Sequence, residues 1–188
     1  MRDDELLRAA FVELHGSRLH GFALIVSLGD ARRAEQAVGD ALAVGSLHAA
    51  DLRHPERAAA WLRARALGRL RHDRLVRSSV PPATRRAALA RLRVEEATFN
   101  GLASLSHVDR AAVAATIMER FEAMDVETIL GTSPCRTRRL VARASRRYLA
   151  AMADGQVASA MPPGELSRRV HSAAERTFVS APAVRRVP

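Results

Sequence analysis

The sequence predicts an all-α fold of two small helical domains joined by a linker, and three observations carry that expectation. Leu, Ala, Val and Arg dominate while aromatic residues make up only 4% of the 188, a balance that favours helix over strand throughout. Apolar residues recur at three- and four-residue spacings in segment after segment. A proline-bearing stretch, Ser78-Ser79-Val80-Pro81-Pro82, divides the periodic segments into two groups.

In the first group, residues 4 to 28 place Leu7, Phe11, Leu14, Phe22 and Ile25 at helical spacings, with Gly16 and Gly21 as weak points. Gly29 followed by Asp30 reads as a helix stop and a new N-cap. A second helix over 31–47 buries Ala34, Ala37, Val38, Ala41 and Leu42 and exposes Arg33, Glu35, Gln36 and Asp40. Asp51 to Glu56 is a loop, because Pro55 disfavours helical geometry at the residue before it. A third helix, from about Arg57 to Val76, carries Trp61, Leu62, Ala66 and Leu70 among Arg63, Arg65, Arg69, Arg71, Arg74 and Arg77. So dense a run of arginines makes it a candidate polyanion contact.

From Pro81 to Asn100 turn residues mix with one short helix, 85–93, and the inter-domain linker is placed at 79–101, where Glu95-Glu96 reads as a solvated patch. Ser106 then caps a helix from His107 to about Arg120, with Asp109 three residues on. A shorter helix over 122–130 ends at Gly131. Ser133 caps the last helix, whose first residue is Pro134 and which runs to about Met152 with Arg136, Arg138, Arg139, Arg143, Arg146 and Arg147. Residues 151–188 form a C-terminal tail rich in Gly, Ser, Ala and Pro, with one more short helix expected between Gly164 and Thr177.

Charge narrows the function. The net charge of +10 rests on arginine alone, since the chain has no lysine. Arginine forks suit phosphate oxygens and the guanine edge, so a polyanion, foremost nucleic acid, is the expected partner; a merely solubilising face is the simpler alternative. The lone Cys135 excludes an internal disulfide and a paired-cysteine zinc site. His15, His20, His48, His54, His72, His107 and His171 show no metal-ligand spacing. No phosphate-binding loop, dinucleotide loop, nucleophile elbow or catalytic acid pair occurs, so no enzymatic activity and no cofactor is expected. The acidic start, Met1 to Leu7, and the lack of a long apolar run point to a soluble cytoplasmic protein without a membrane span.

Two short helices joined by a glycine turn, the second capped and arginine-rich, describe a helix-turn-helix. Spacing alone leaves simple helix packing equally open. The residues around it are more specific. Leu105-Ser-His-Val-Asp-Arg110, then Glu119, Ile129-Leu130-Gly131, Ser133 and Arg143-Ala144 resemble region four of the extracytoplasmic-function sigma factors. The family pattern there is a Leu-Pro-x-x-x-Arg opening, a Glu-Gly-x-Ser step, an Ile-Ala-x-x-Leu-Gly-x-Ser turn and a closing Arg-Ala. Leu28-Gly29-Asp30, Ala34-Glu35-Gln36-Ala37-Val38, Pro55-Glu56 and Trp61-Leu62 resemble region two of the same family.

That resemblance implies a transcription-initiation factor with no chemistry of its own. Arg33, Glu35, Gln36 and Asp40 would face RNA polymerase core at the largest-subunit clamp helices, with the flap as a further contact. Arg53, Arg63, Arg65, Arg69 and Arg71 would serve the proximal promoter element, and Arg136, Arg138, Arg139 and Arg143 the distal one. It also implies an anti-sigma factor as partner. The chain departs from the pattern at Gln36, at Arg65-Ala66-Leu67-Gly68, at Arg120 in place of a glycine, and at Glu127 where a small packed residue is usual. Those departures support the alternative of a diverged sigma-like regulator, acting through protein interaction or polymerase-independent DNA binding. Trp61 reads more simply as core packing than as a base-stacking residue.

Overall fold

The helix Arg2–Val26 (α1) runs unbroken in the computed structural model, which describes residues 2–48, 57–72 and 80–154. Gly16 and Gly21 lie inside α1 without interrupting it, both buried. Its inner face, Phe11, Leu19, Phe22, Ile25 and Val26, enters the core, whereas Leu14 is exposed at 70% and lies off the apolar stripe the spacing assigned it to. The chain then reverses through Leu28 and Gly29, both at positive φ (55° and 77°). The Gly29 N–H donates to the Leu24 carbonyl at 2.8 Å, so the turn satisfies a carbonyl that the helix end would otherwise orphan. Asp30 starts α2 (Ala31–Leu47), its side chain accepting from the Arg33 N–H. These are the stop, the cap and the helix limits the sequence indicates, and Ala34, Ala37, Val38, Ala41 and Leu42 are all buried as expected.

Helix α3 (Ala58–His72) packs on α1 and α2 through Ala58, Leu62, Ala66, Leu67 and Leu70. The expected continuation to Val76, Arg74 and Arg77, the loop 51–56, and the tail beyond Asp154 with its short helix lie outside the described residues.

Residues expected as a linker are instead two helices, α4 (Pro82–Arg91) and α5 (Glu96–Ala103). Pro82 opens α4 rather than ending a domain, since a first-turn proline lacks only an N–H the helix does not use. Leu89, Leu92, Val94, Phe99 and Leu102 are buried, which an exposed linker would not allow. Glu95 and Glu96 are solvated as anticipated, at the N-terminus of α5 where acidic side chains suit the helix dipole.

The second half comprises α6 (His107–Val113), which continues as a π-helical turn over Ala114–Met118, then α7 (Ala123–Leu130) and α8 (Pro134–Asp154). The chain is thus all-α, and among the described residues no strand occurs. Its halves share one core. Helix α7 packs on α3, α6 packs on α1, and a continuous apolar cluster runs from Phe11 to Tyr148. Of the described helices before residue 73, α1 and α3 therefore lie against α6 and α7 instead of standing apart from them on an exposed connector.

Candidate nucleic-acid interface

The turn between α7 and α8 is built by three local devices. Gly131 ends α7 in the left-handed region (φ 62°), and its N–H donates to the Glu127 carbonyl at 2.9 Å. The hydroxyls of Thr132 and Thr137 meet at 2.7 Å, pinning the turn to the first turn of α8, and Thr137 is buried. Pro134 is the first residue of α8, and the Thr137 N–H donates to the Ser133 carbonyl at 2.8 Å. The glycine stop and proline start fall where the sequence marked them.

Burial fixes the rotation of α8. Thr137, Ala144 and Tyr148 point inward. At roughly 100° per residue, Arg139 and Arg146 then point almost directly outward, with Arg136, Arg143 and Arg147 on one flank and Arg138 on the other. All six are exposed. Among the described residues Arg136, Arg138, Arg139 and Arg146 make no ion pair, so their forks are available to a ligand.

The other two, Arg143 and Arg147, are anchored by the buried Asp109 of α6. Arg143 donates to Asp109 Oδ1 at 2.7 Å, Arg147 stands 3.6 Å from Oδ2, and Ser106 Oγ donates to Oδ2 at 2.9 Å. Burial alone would raise the Asp109 pKa, but hydrogen bonds from Arg143 and Ser106 and the two guanidinium charges outweigh it and hold the carboxyl below its ordinary value. Arg143, read from sequence as a DNA contact, is thereby half committed to positioning α8.

Beside Asp109, Arg110 is buried and carries a structural duty that the sequence did not reveal. Its Nη1 donates to the Val26 carbonyl at 2.7 Å and its Nε to the Leu102 carbonyl at 2.9 Å, joining the C-terminal ends of α1 and α5. Burial first, and the charge of Arg85 second, pull its pKa down to about 10.

The arginines of α3 divide. Arg65 is exposed, its guanidinium 5.0 Å from the centre of the Trp61 ring, and Trp61 is half-buried against the core, in keeping with a packing role. Arg69 is exposed and pairs with Asp40 of α2 at 2.9 Å, and Arg71 is half-buried. Arg53 lies outside the described residues.

Arg63 departs from its expected place on a phosphate-facing surface. Its side chain is only 3% exposed. Nε and Nη2 both donate to the Glu119 carboxylate, the second at 2.9 Å, and Nη1 donates to the Ala59 carbonyl at 2.9 Å. The rings of Phe121 and Phe22 flank the guanidinium at 4.8 and 5.7 Å. An arginine on the inward side of α3 needs an acid, and none is near in sequence; the partner comes from 56 residues away. Glu119 belongs to a recognisable motif, yet nothing local signals this pairing.

On α2, Glu35, Gln36 and Asp40 are exposed, while Arg33 is half-buried with its Nε 3.6 Å from Asp30. The Asp40–Arg69 pair joins this face to α3 at the surface, where such a pair contributes about 0–1 kcal/mol.

Two residues that depart from the sigma pattern acquire a geometry. Arg120 sits at φ 56°, the conformation a glycine takes without penalty. Glu127 is half-buried. Gly68 has open space where a Cβ would stand.

No protein-family model, curated protein or solved structure matches the chain. Among the described residues no three His, Cys, Asp or Glu side chains gather to hold a metal, and no helix is long and apolar enough to cross a membrane.

Proposed function

We propose that this chain is a sigma factor of the extracytoplasmic-function kind, directing RNA polymerase core to particular promoters by binding alone. The observation that carries this reading is α8: a helix started by Pro134 after a glycine turn, buried along Thr137, Ala144 and Tyr148, and presenting unpaired arginines outward. A helix so held enters a major groove with its first two turns toward base edges, which places Arg136, Arg138 and Arg139 at bases or phosphates and Arg146 at the backbone. The motif resemblance from Leu28 to Ala144 supports the same reading. Promoter DNA and polymerase core are then the partners, with Glu35, Gln36 and Asp40 on the polymerase-facing side of α2 and Arg65, Arg69 and Arg71 near the proximal element. The site of action is the cytoplasm, and an anti-sigma factor is a further partner under this reading.

Purification of the full chain with core polymerase, followed by run-off transcription from genomic promoters, tests it. Retention on core and new transcripts are expected. A second reading, a diverged sigma-like regulator, is favoured by one observation: the α3–α7 packing closes the halves together. DNA binding without retention on core polymerase would select that reading.

A further inference from the structure

We propose that Arg63 is a phosphate-binding residue held in reserve, and that residues 119–121 are the lid that covers it. This rests on the DNA-binding reading above and adds a regulated contact to it.

The lid is a short segment in which three features coincide. Glu119 occupies the fork of Arg63 with two carboxylate oxygens, the arrangement in which a phosphodiester presents its two non-bridging oxygens. Phe121 covers the guanidinium face at 4.8 Å. Arg120 stands between them, exposed and left-handed at φ 56°, so the segment stores backbone strain at a non-glycine residue.

The lid is moored to the π-helical turn by two backbone bonds, Glu119 N–H to the Ala114 carbonyl and Phe121 N–H to the Ala115 carbonyl, both 2.9 Å. A π turn carries an extra residue relative to α-helix, and such turns are frequent at functional sites. Rewinding it moves Glu119 and Phe121 together.

A buried ion pair is a poor way to gain stability, because apolar residues of the same volume often do as well or better. It is a good way to build a two-state contact. Glu119 and a phosphate compete for one guanidinium, and whichever holds it excludes the other. Closed, the lid lowers apparent affinity for DNA by the fraction of molecules in which Arg63 is hidden. Arg63 lies on α3 roughly 200° round the helix from the exposed Arg65 and about 120° from the exposed Arg69, so an opened lid presents a phosphate contact on a separate face of α3.

The test uses the full chain and a labelled DNA duplex titrated at several salt concentrations. Glu119→Gln keeps the shape and removes the competing charge. It is expected to tighten binding by up to roughly eightfold near 0.1 M salt and to steepen the log–log salt dependence by about one phosphate's worth, 0.9. Arg63→Gln combined with Glu119→Gln is expected to return the slope to that of the parent. A gain that persists in the double variant would reflect the lost negative charge alone and would overturn the proposal, as would a folded Glu119→Gln protein with parental affinity and slope.

Phe121→Ala loosens the lid while keeping the ion pair and serves if Glu119→Gln fails to fold; by making opening easier it is expected to tighten duplex binding, and parental affinity counts against the lid. Hydrogen exchange gives a second readout: the amides of residues 119 and 121 are expected to exchange faster in duplex-bound Glu119→Gln than in the duplex-bound parent, and equal protection would contradict lid opening. Loss of binding in the Arg136→Ala, Arg138→Ala, Arg139→Ala triple variant reports separately on the underlying reading. Should the parent chain bind no duplex, that reading fails first and this proposal with it; should it bind through α8 with no change at the lid, only this proposal fails.

Discussion

Arg143 of α8 donates to the buried carboxylate of Asp109 at 2.7 Å, across 34 residues of sequence, and this contact ties the flank of the last helix to α6. Asp109 also accepts from Ser106 and stands near Arg147, so a single acid organises the cap of α6 and the flank of α8. Asp109→Asn should lower unfolding free energy by about 1–3 kcal/mol, the range for a lost charge-assisted bond in a part-buried setting, read from urea midpoints. The folded carboxyl titrates below its ordinary value of 3.8. Its contribution is therefore complete above that value and disappears as pH falls through the lower folded pKa, and the Asn variant should lack this part of the acid transition.

Arg110→Met should leave the carbonyls of Val26 and Leu102 without their buried donor. A cost of about 2–4 kcal/mol follows from two unsatisfied acceptors. Because one carbonyl belongs to each side of the expected linker, loss should be felt by both halves, and circular dichroism and Trp61 fluorescence should still report one coincident transition. Separate transitions in the parent protein would refute the shared core.

Two glycines should respond with opposite sign. Gly29 is at φ 77°, and a Cβ there would stand 2.3 Å from the Arg85 carbonyl oxygen, so Gly29→Ala must displace α4 and should cost more than about 2 kcal/mol. Gly68 lies inside α3 with open space around it, so Gly68→Ala should stabilise by about 0.5–1 kcal/mol through helix propensity. Thermal midpoints that move in the same direction for both would show that α3 or the α1–α2 turn is packed otherwise.

How much of this was legible in the sequence follows from the range of each interaction. Local devices were readable: the Gly29–Asp30 boundary, Ser106 as cap, and the Gly131-to-Pro134 turn all depend on residues within five positions of each other. Contacts between distant segments were not. Pro81–Pro82 carries the same signal whether it ends a domain or starts a helix, so α5 went unseen and α4 was placed late. Arg63 looked like its exposed neighbours because a run of arginines does not say which one faces inward, and Glu119 and Phe121 reach it from the other half. The outward face of α8 was readable as arginine-rich, but only the burial of Thr137, Ala144 and Tyr148 separates Arg139 and Arg146 from the flanking set.

His15 and His20 add a pH dependence. Burial, and for His15 the charges of Arg63 and Arg18, lower both pKa values below 6.5. The folded state therefore holds these rings neutral while the unfolded chain binds protons more readily, so their contribution is complete above that value and declines as pH falls below it. Stability should fall as pH drops below about 6.5, and a His15→Gln, His20→Gln variant should show a flatter profile there. An equal slope in both proteins would assign the effect to other groups.

Under the proposed function the outward arginines of α8 read promoter DNA for a polymerase bound to the same chain. Run-off transcription by core polymerase with the parent chain and with Arg136→Ala, Arg138→Ala and Arg139→Ala singly tests it most directly. A base-reading arginine should cost about 1–3 kcal/mol and relax preference at one promoter position, whereas a phosphate contact should weaken all promoters alike. Discrete transcripts that depend on the chain and fade in the α8 variants are the predicted result. Core polymerase that neither retains the chain nor gains any transcript from it would contradict the account.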